Sequence, residues 1–276
     1  MTEMLLFMGA PFVACVILLL LCGYLGQHVL EREIIFIDIA MAQIAALGST
    51  LALVLDHGHE SFTALLLSLL AVALASGLFA FTRYGCRVLP LEAVIGVTYA
   101  VSAMAALLLF DQAAGGHDHM HDMLAGSILW VSWEEVGHTA IVFALVGLLH
   151  LLLRKQFKQL SNDYEKARVD GKKVRLWDFL FYLSFGTAMV FAVQIAGILM
   201  VFAFLIIPAS ISAIISTNWL SRIVIAWAMG MVVCLAGLIL SWNYDLQCGP
   251  TLVCLLGCAL TVVILLRRFI SPSKYS

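Results

Sequence analysis

The sequence predicts an all-α polytopic membrane protein of about nine transmembrane helices, with its N-terminus outside and its C-terminus in the cytoplasm. Three observations carry this. Apolar residues run in stretches of about 20, long enough to cross a ~30 Å hydrocarbon core as helix. Charge is scarce: 12% of the 276 residues are charged and 63% are hydrophobic, with a mean hydropathy of +1.05, where a soluble domain carries about 25% charge. The basic residues fall at alternate ends of the apolar runs.

The spans read as 4–25, 34–55, 61–81, 91–110, 136–153, 177–193, 195–216, 223–242 and 251–266. The first lacks a basic leader segment and more spans follow, so it reads as a retained helix rather than a signal peptide. The stretch from Trp177 to Ser216 carries no charge after Asp178 and is too long for one crossing. It is expected to fold back near Ala192–Gly197. With nine alternating spans, all 15 lysines and arginines face one side, which by the positive-inside rule is the cytoplasm. The other side holds Asp56, Glu60, Asp111, Asp118, Asp122, Glu134 and Glu135, together with most of the histidines. A single transmembrane domain over residues 1–276 is expected, with a cytoplasmic loop at 154–176.

Several functions are disfavoured. A GxxxxGK[ST] phosphate loop is absent, so this chain does not hydrolyse ATP by itself, and His59-Glu60-Ser61 does not continue into the HExxH of a zinc protease. A net charge of −2 without a basic stripe gives no footprint for nucleic acid. Nothing reads as an enzyme. The seven cysteines lie mostly inside apolar runs and form no CxxC pair. Cys254 and Cys258 share a helical face and are read as small buried hydrophobes rather than ligands.

Metal chemistry is indicated in two places. The outer loops contain Asp56-His57-Gly58-His59-Glu60 and His117-Asp118-His119-Met120-His121-Asp122. Imidazole suits zinc, copper or nickel, and such tracts collect metal loosely without fixing a closed site; the plainer reading is a polar, solvated loop. Ionisable groups inside spans are expensive and by default functional. Asp38 lies one turn into the second span, with Gln43 five residues on, and Glu92 opens the fourth. The competing reading has Asp38 and Glu92 solvated at the interface or paired with Arg32 or Arg87. In the cytoplasmic loop, Ser161, the charged residues after it and Gly171 read as a short capped helix.

That loop carries a resemblance. Asp163-x-Glu165-x-Ala167-x-x-x-Gly171, then a span, then Val193-Gln194-Ile195-Ala196-Gly197-Ile198 and Phe204-Leu205-Ile206-Ile207-Pro208-Ala209, resembles the zinc/manganese ABC permease family, the type-3 metal permeases. Glu92-Ala93-Val94-Ile95-Gly96 and Leu124-Ala125-Gly126-Ser127-Ile128-Leu129 are similar to two further segments of that family, so the likeness covers nearly the whole chain. The resemblance implies a homodimer in the bacterial inner membrane. It also implies two cytoplasmic ATPase subunits docked on the loop helix through Asp163, Glu165, Ala167 and Gly171, and an extracytoplasmic metal-binding protein that delivers the ion. The family places a histidine four residues after the second-span aspartate; here that position is Ala42.

The expected function is import of a divalent metal, zinc first and manganese second, around Asp38, Gln43 and Glu92, with His117, His119 and His121 gathering the ion outside. No permanently bound cofactor is expected. The alternatives are an ATPase-independent secondary transporter and an ABC permease for a siderophore or corrinoid.

Overall fold

The computed structural model of the chain describes residues 2–55, 61–85, 89–110, 128–162 and 173–270. Its helices are α1 (Thr2–Arg32), α2 (Ile37–Val54), α3 (Phe62–Gly85), α4 (Leu91–Phe110), α5 (Trp133–Leu152), α6 (Arg154–Asn162), α7 (Val174–Ala196), α8 (Ile198–Ile215), α9 (Trp219–Tyr244) and α10 (Cys248–Ile270), with a 3-10 turn over Ile128–Trp130 before α5. Among the described residues, nine of these helices, all but α6, are long and apolar enough to cross a membrane. No strand occurs among the described residues.

Helices α1, α2, α7 and α8 form the buried centre, and α4, α5 and α10 turn most of their surface outward. The core is a continuous cluster that includes Leu18, Leu25, Met41, Phe79, Phe181, Phe185 and Phe204. Small residues bring backbones close where helices cross. A Cβ on Gly26 of α1 would lie 2.0 Å from the Leu205 carbonyl oxygen of α8, and one on Gly48 of α2 would lie 2.6 Å from that of Leu67 in α3. Apolar lipid gives helices no hydrophobic reason to associate, so this close packing holds them together.

Contacts between helix ends fix the direction of each span. Arg32 at the end of α1 and Arg83 near the end of α3 both reach Asp178 near the start of α7. Arg222, near the start of α9, pairs with Glu31 of α1. Arg267 of α10 donates to the Ile214 carbonyl at the end of α8. The described arginines Arg32, Arg83, Arg222 and Arg267 therefore gather at one end of the bundle, as alternating spans require.

Local chemistry explains several boundaries. Ser132 and Glu135 form a capping box at the start of α5: the Glu135 N–H donates to the Ser132 hydroxyl (3.2 Å) and the Ser132 N–H to the Glu135 carboxylate (2.7 Å). Asn218 caps α9 through Leu220 N–H (3.0 Å). Helix α1 ends in a Schellman turn, with Ile34 N–H on the Val29 carbonyl, Glu33 N–H on that of Leu30, and Glu33 itself at φ 56°.

The charge-free stretch folds back at one residue. α7 and α8 are joined by Gly197 alone, at φ 73° and ψ 161°. Asp178 near the start of α7 and Ser212 near the end of α8 both meet α1 at its basic end, through Arg32 and Gln27.

The structure differs from the sequence expectations at several points. The apolar runs place Arg32 beyond the first span, yet it is the last residue of α1 and is buried. Helices continue past a charge while their backbone bonds are satisfied, so apolar runs understate their length. Arg32 pairs with Asp178, not Asp38. Ser161 is the second-last residue of α6, with its hydroxyl donating to the Phe157 carbonyl (2.9 Å); the rest of the expected loop helix, 163–171, lies outside the described residues. Cys254 and Cys258 are exposed, because α10 turns its apolar face outward.

Candidate metal site and its surroundings

Asp38 sits in the first turn of α2 and is 2% exposed. Its carboxyl faces the first N–H groups of its helix, those of Asp38 and Ile39, yet neither oxygen makes a hydrogen bond of ordinary geometry. Glu92 occupies the first turn of α4. One of its oxygens accepts the Phe36 N–H at 3.3 Å, capping α2 from a neighbouring helix. Its other oxygen is buried and has no partner among the described residues.

Residues 54 apart in sequence thus meet at the N-terminus of α2, whose helix dipole favours negative charge. Three carboxylate oxygens there are buried and unpartnered. A buried polar atom without a partner costs about 1–3 kcal/mol and calls for an explanation. A divalent cation held by two hard oxygen donors supplies one. The described residues offer no group of three or more His, Cys, Asp or Glu side chains arranged to hold a metal.

Gln43 is buried in α2. At 100° per residue, five residues place it about 140° around the helix from Asp38, so the two do not share a face. His117, His119 and His121, the other outer-loop histidines, and Asp163, Glu165, Ala167 and Gly171 lie outside the described residues.

A second constellation surrounds Asp178. Asp178 accepts from Arg32 at 2.8 Å and from Arg83 at 3.1 Å, and the Arg32 guanidinium lies 3.8 Å from the centre of the Phe181 ring. Arg32 also donates through Nε to Ser161 of α6 at 2.9 Å. With its own proton given to Phe157, the Ser161 oxygen also takes one from His28 Nδ1 (2.8 Å), leaving His28 Nε2 to accept from the Tyr24 hydroxyl (3.0 Å). His150 of α5 is hydrogen-bonded to Ser184 of α7 through Nε2 (2.9 Å) beside this cluster. Four turn residues after Arg32 the chain enters α2 and reaches Asp38. The cluster therefore ties α6 to the helix that leads directly into the carboxylate pair. Its sequence signal was present: Arg32 and Asp178 stand at the edges of apolar runs, where a charge marks function by default.

A third network fastens α1, α8 and α9. Gln27 donates to the Ser212 hydroxyl at 2.9 Å, and Arg222 Nε donates to the Gln27 carbonyl oxygen at 2.8 Å.

Over residues 4–267 the sequence matches the ABC 3 transport family. The chain belongs to that family. As an ABC 3 permease it is a transport subunit embedded in the membrane rather than a catalytic one. It is similar to a probable metal transport system membrane protein of Thermotoga maritima, with 27% identity covering 90% of this chain and 85% of the relative. It is also similar to the manganese transport system membrane protein MntC of Listeria monocytogenes, with 31% identity over 59% of this chain and 58% of that one. Among solved structures, PsaBC from Streptococcus pneumoniae in complex with Fab shares the fold of this ABC 3 permease, with a TM-score of 0.76 and 21% identity over 97% of this chain and 93% of that chain.

Proposed function

We propose that this permease imports a divalent metal ion across the bacterial inner membrane, with zinc the first choice and manganese the second, and that the ion passes the carboxylate pair Asp38–Glu92. The observation that carries this reading is the set of three buried, unpartnered carboxylate oxygens at the start of α2. A transiting dication compensates them; a solvated interface does not, because Asp38 is buried, and Arg32 is already engaged by Asp178. The names of the metal-transport relatives support the class of cargo.

The histidine-rich outer loops favour zinc. A donor set of carboxylates without imidazole at Asp38 favours manganese, which is the specific ground for the second reading. In the proposed assembly two copies pair. Two ATPase subunits dock at the basic, cytoplasmic end on the loop after α6, and an outer metal-binding protein delivers the ion to the N-terminal, outer face. Motion of α6 reaches the metal path through Ser161, Arg32 and the turn into α2.

The test is uptake of radioactive zinc and manganese by cells carrying Asp38→Asn or Glu92→Gln, with the purified variants checked for folding. Asp38→Asn keeps the shape and removes the charge, so uptake is expected to vanish while the protein remains folded. Wild-type uptake of both ions by Asp38→Asn would overturn the site. Replacing His117, His119 and His121 together with alanine is expected to slow uptake only when zinc is scarce.

A further inference from the structure

Between the end of α3 and the start of α7, at the basic end, lies a groove of about 620 Å³ that the metal path does not use. Tyr84, Lys173 and Arg175 line its mouth, and Gly77, Ala80 and Phe179 its floor. The two parts differ in chemistry and in depth. Seven residues of helix separate Tyr84 from Gly77, about 10 Å along the axis.

Among the described residues the mouth is cationic, with no acidic side chain in its lining. The three ion pairs among the described residues use Arg32, Arg83 and Arg222, and neither Lys173 nor Arg175 has a carboxylate partner there. Arg175 is nonetheless held in place, with its guanidinium 4.5 Å from the Tyr84 ring centre and 5.5 Å from that of Phe81. Stacking on ring faces leaves the in-plane N–H groups of the guanidinium directed outward, the geometry that accepts a phosphate. The start of α7 adds to this: Lys173 is its N-cap residue and gives no side-chain cap, so the first-turn N–H groups contribute positive potential at the same place.

The floor is apolar and vacant. A Cβ built on Gly77 meets no atom within 4 Å, so the groove runs past it as open space. A soluble anion has no use for such a floor. Cations at headgroup level above an apolar channel that runs into the membrane match the two halves of a lipid.

We propose that this groove binds one anionic phospholipid, its phosphate held by Lys173 and Arg175 and an acyl chain laid over Gly77 and Ala80. The site is separate from the metal path, and its test reads no transport.

The experiment is native mass spectrometry of the full-length permease in uncharged detergent, titrated with phosphatidylglycerol or phosphatidylcholine, with thermal unfolding of each variant as the control for folding. The wild type is expected to retain one phosphatidylglycerol per chain at low lipid ratio and no phosphatidylcholine. Lys173→Gln with Arg175→Gln is expected to weaken retention about thirtyfold. Gly77→Leu keeps the charges and fills the channel, and is also expected to lose the lipid. Arg267→Gln with Arg268→Gln, at the same end, is expected to leave retention unchanged. Equal retention by the wild type and the Lys173/Arg175 variant overturns the proposal, as does equal loss in the Arg267/Arg268 variant, which means general surface attraction. Retention by Gly77→Leu, with inorganic phosphate displacing the lipid, also overturns it and leaves a soluble-anion site instead.

Discussion

The Nε–H of Arg32 donates to the hydroxyl of Ser161 at 2.9 Å, across 129 positions of sequence. Both side chains are buried. The bond joins the last residue of a membrane-spanning helix to the short helix α6 that precedes the basic loop. The same guanidinium is bound to Asp178, so one side chain links α1, α6 and α7.

Ser161→Ala leaves two buried donors, Arg32 Nε and His28 Nδ1, without their acceptor. An unmade buried hydrogen bond costs about 1–3 kcal/mol, which thermal unfolding of the purified permease in detergent will register. Ser161→Thr keeps the hydroxyl and is expected to recover most of the loss. Equal destabilisation by the two substitutions would show that the volume at 161, not the hydrogen bond, matters.

Asp178→Asn removes an anion that Arg32 and Arg83 share. The side chains of Asp178 and Arg32 are both 0% exposed, and leaving a buried charge unpaired costs about 3–5 kcal/mol. Arg83→Gln is expected to cost less, because the Arg83 side chain is 13% exposed and Asp178 keeps Arg32. The ranking is read from unfolding midpoints of the two variants; equal midpoints would refute the assignment of Arg32 as the principal partner.

Gly197 joins α7 to α8 at φ 73° and ψ 161°, a region that is essentially glycine's own. Gly197→Ala is expected to lower stability by about 1–3 kcal/mol, or to reduce the amount of inserted protein. Gly96→Ala is the matched control, since a Cβ there meets nothing within 4 Å. Identical expression and unfolding of the two variants would show that the turn tolerates a side chain.

At Gly26 the constraint is space rather than conformation. A methyl group would lie 2.0 Å from the Leu205 carbonyl oxygen, which is backbone and cannot rotate away. Gly26→Ala must separate α1 from α8 and stretch the Gln27–Ser212 bond beside it. The expected outcome is a folding defect larger than that of Gly23→Ala, where the neighbour is the Trp227 ring at 3.1 Å and a side chain can shift. The reverse order would place the tight crossing elsewhere.

The sequence by itself determined the solvent and which ends of the spans lie together. Runs of about 20 apolar residues have one stable form in a bilayer, because every backbone group must be satisfied within the segment. The sidedness of basic residues then orders the spans, and Arg32, Arg83, Arg222 and Arg267 do gather at one end. The fold-back at Gly197 was legible too, since no single helix could cross with that length. Asp38 and Glu92 stood out because a carboxyl in an apolar run is costly.

Tertiary structure decided which charges meet. Periodicity along one helix places residues three or four apart on a face, but it says nothing about residues 54, 129 or 146 apart. That Glu92 caps α2 beside Asp38, that Arg32 answers Asp178 rather than Asp38, and that Ser161 turns inward to Arg32 all depend on how the helices cross. Those crossings are set by close approaches such as Gly26 to Leu205. In lipid, packing chooses the partners, and only the assembled bundle shows which buried charges it has neutralised and which carboxylate oxygens it has left without a hydrogen bond.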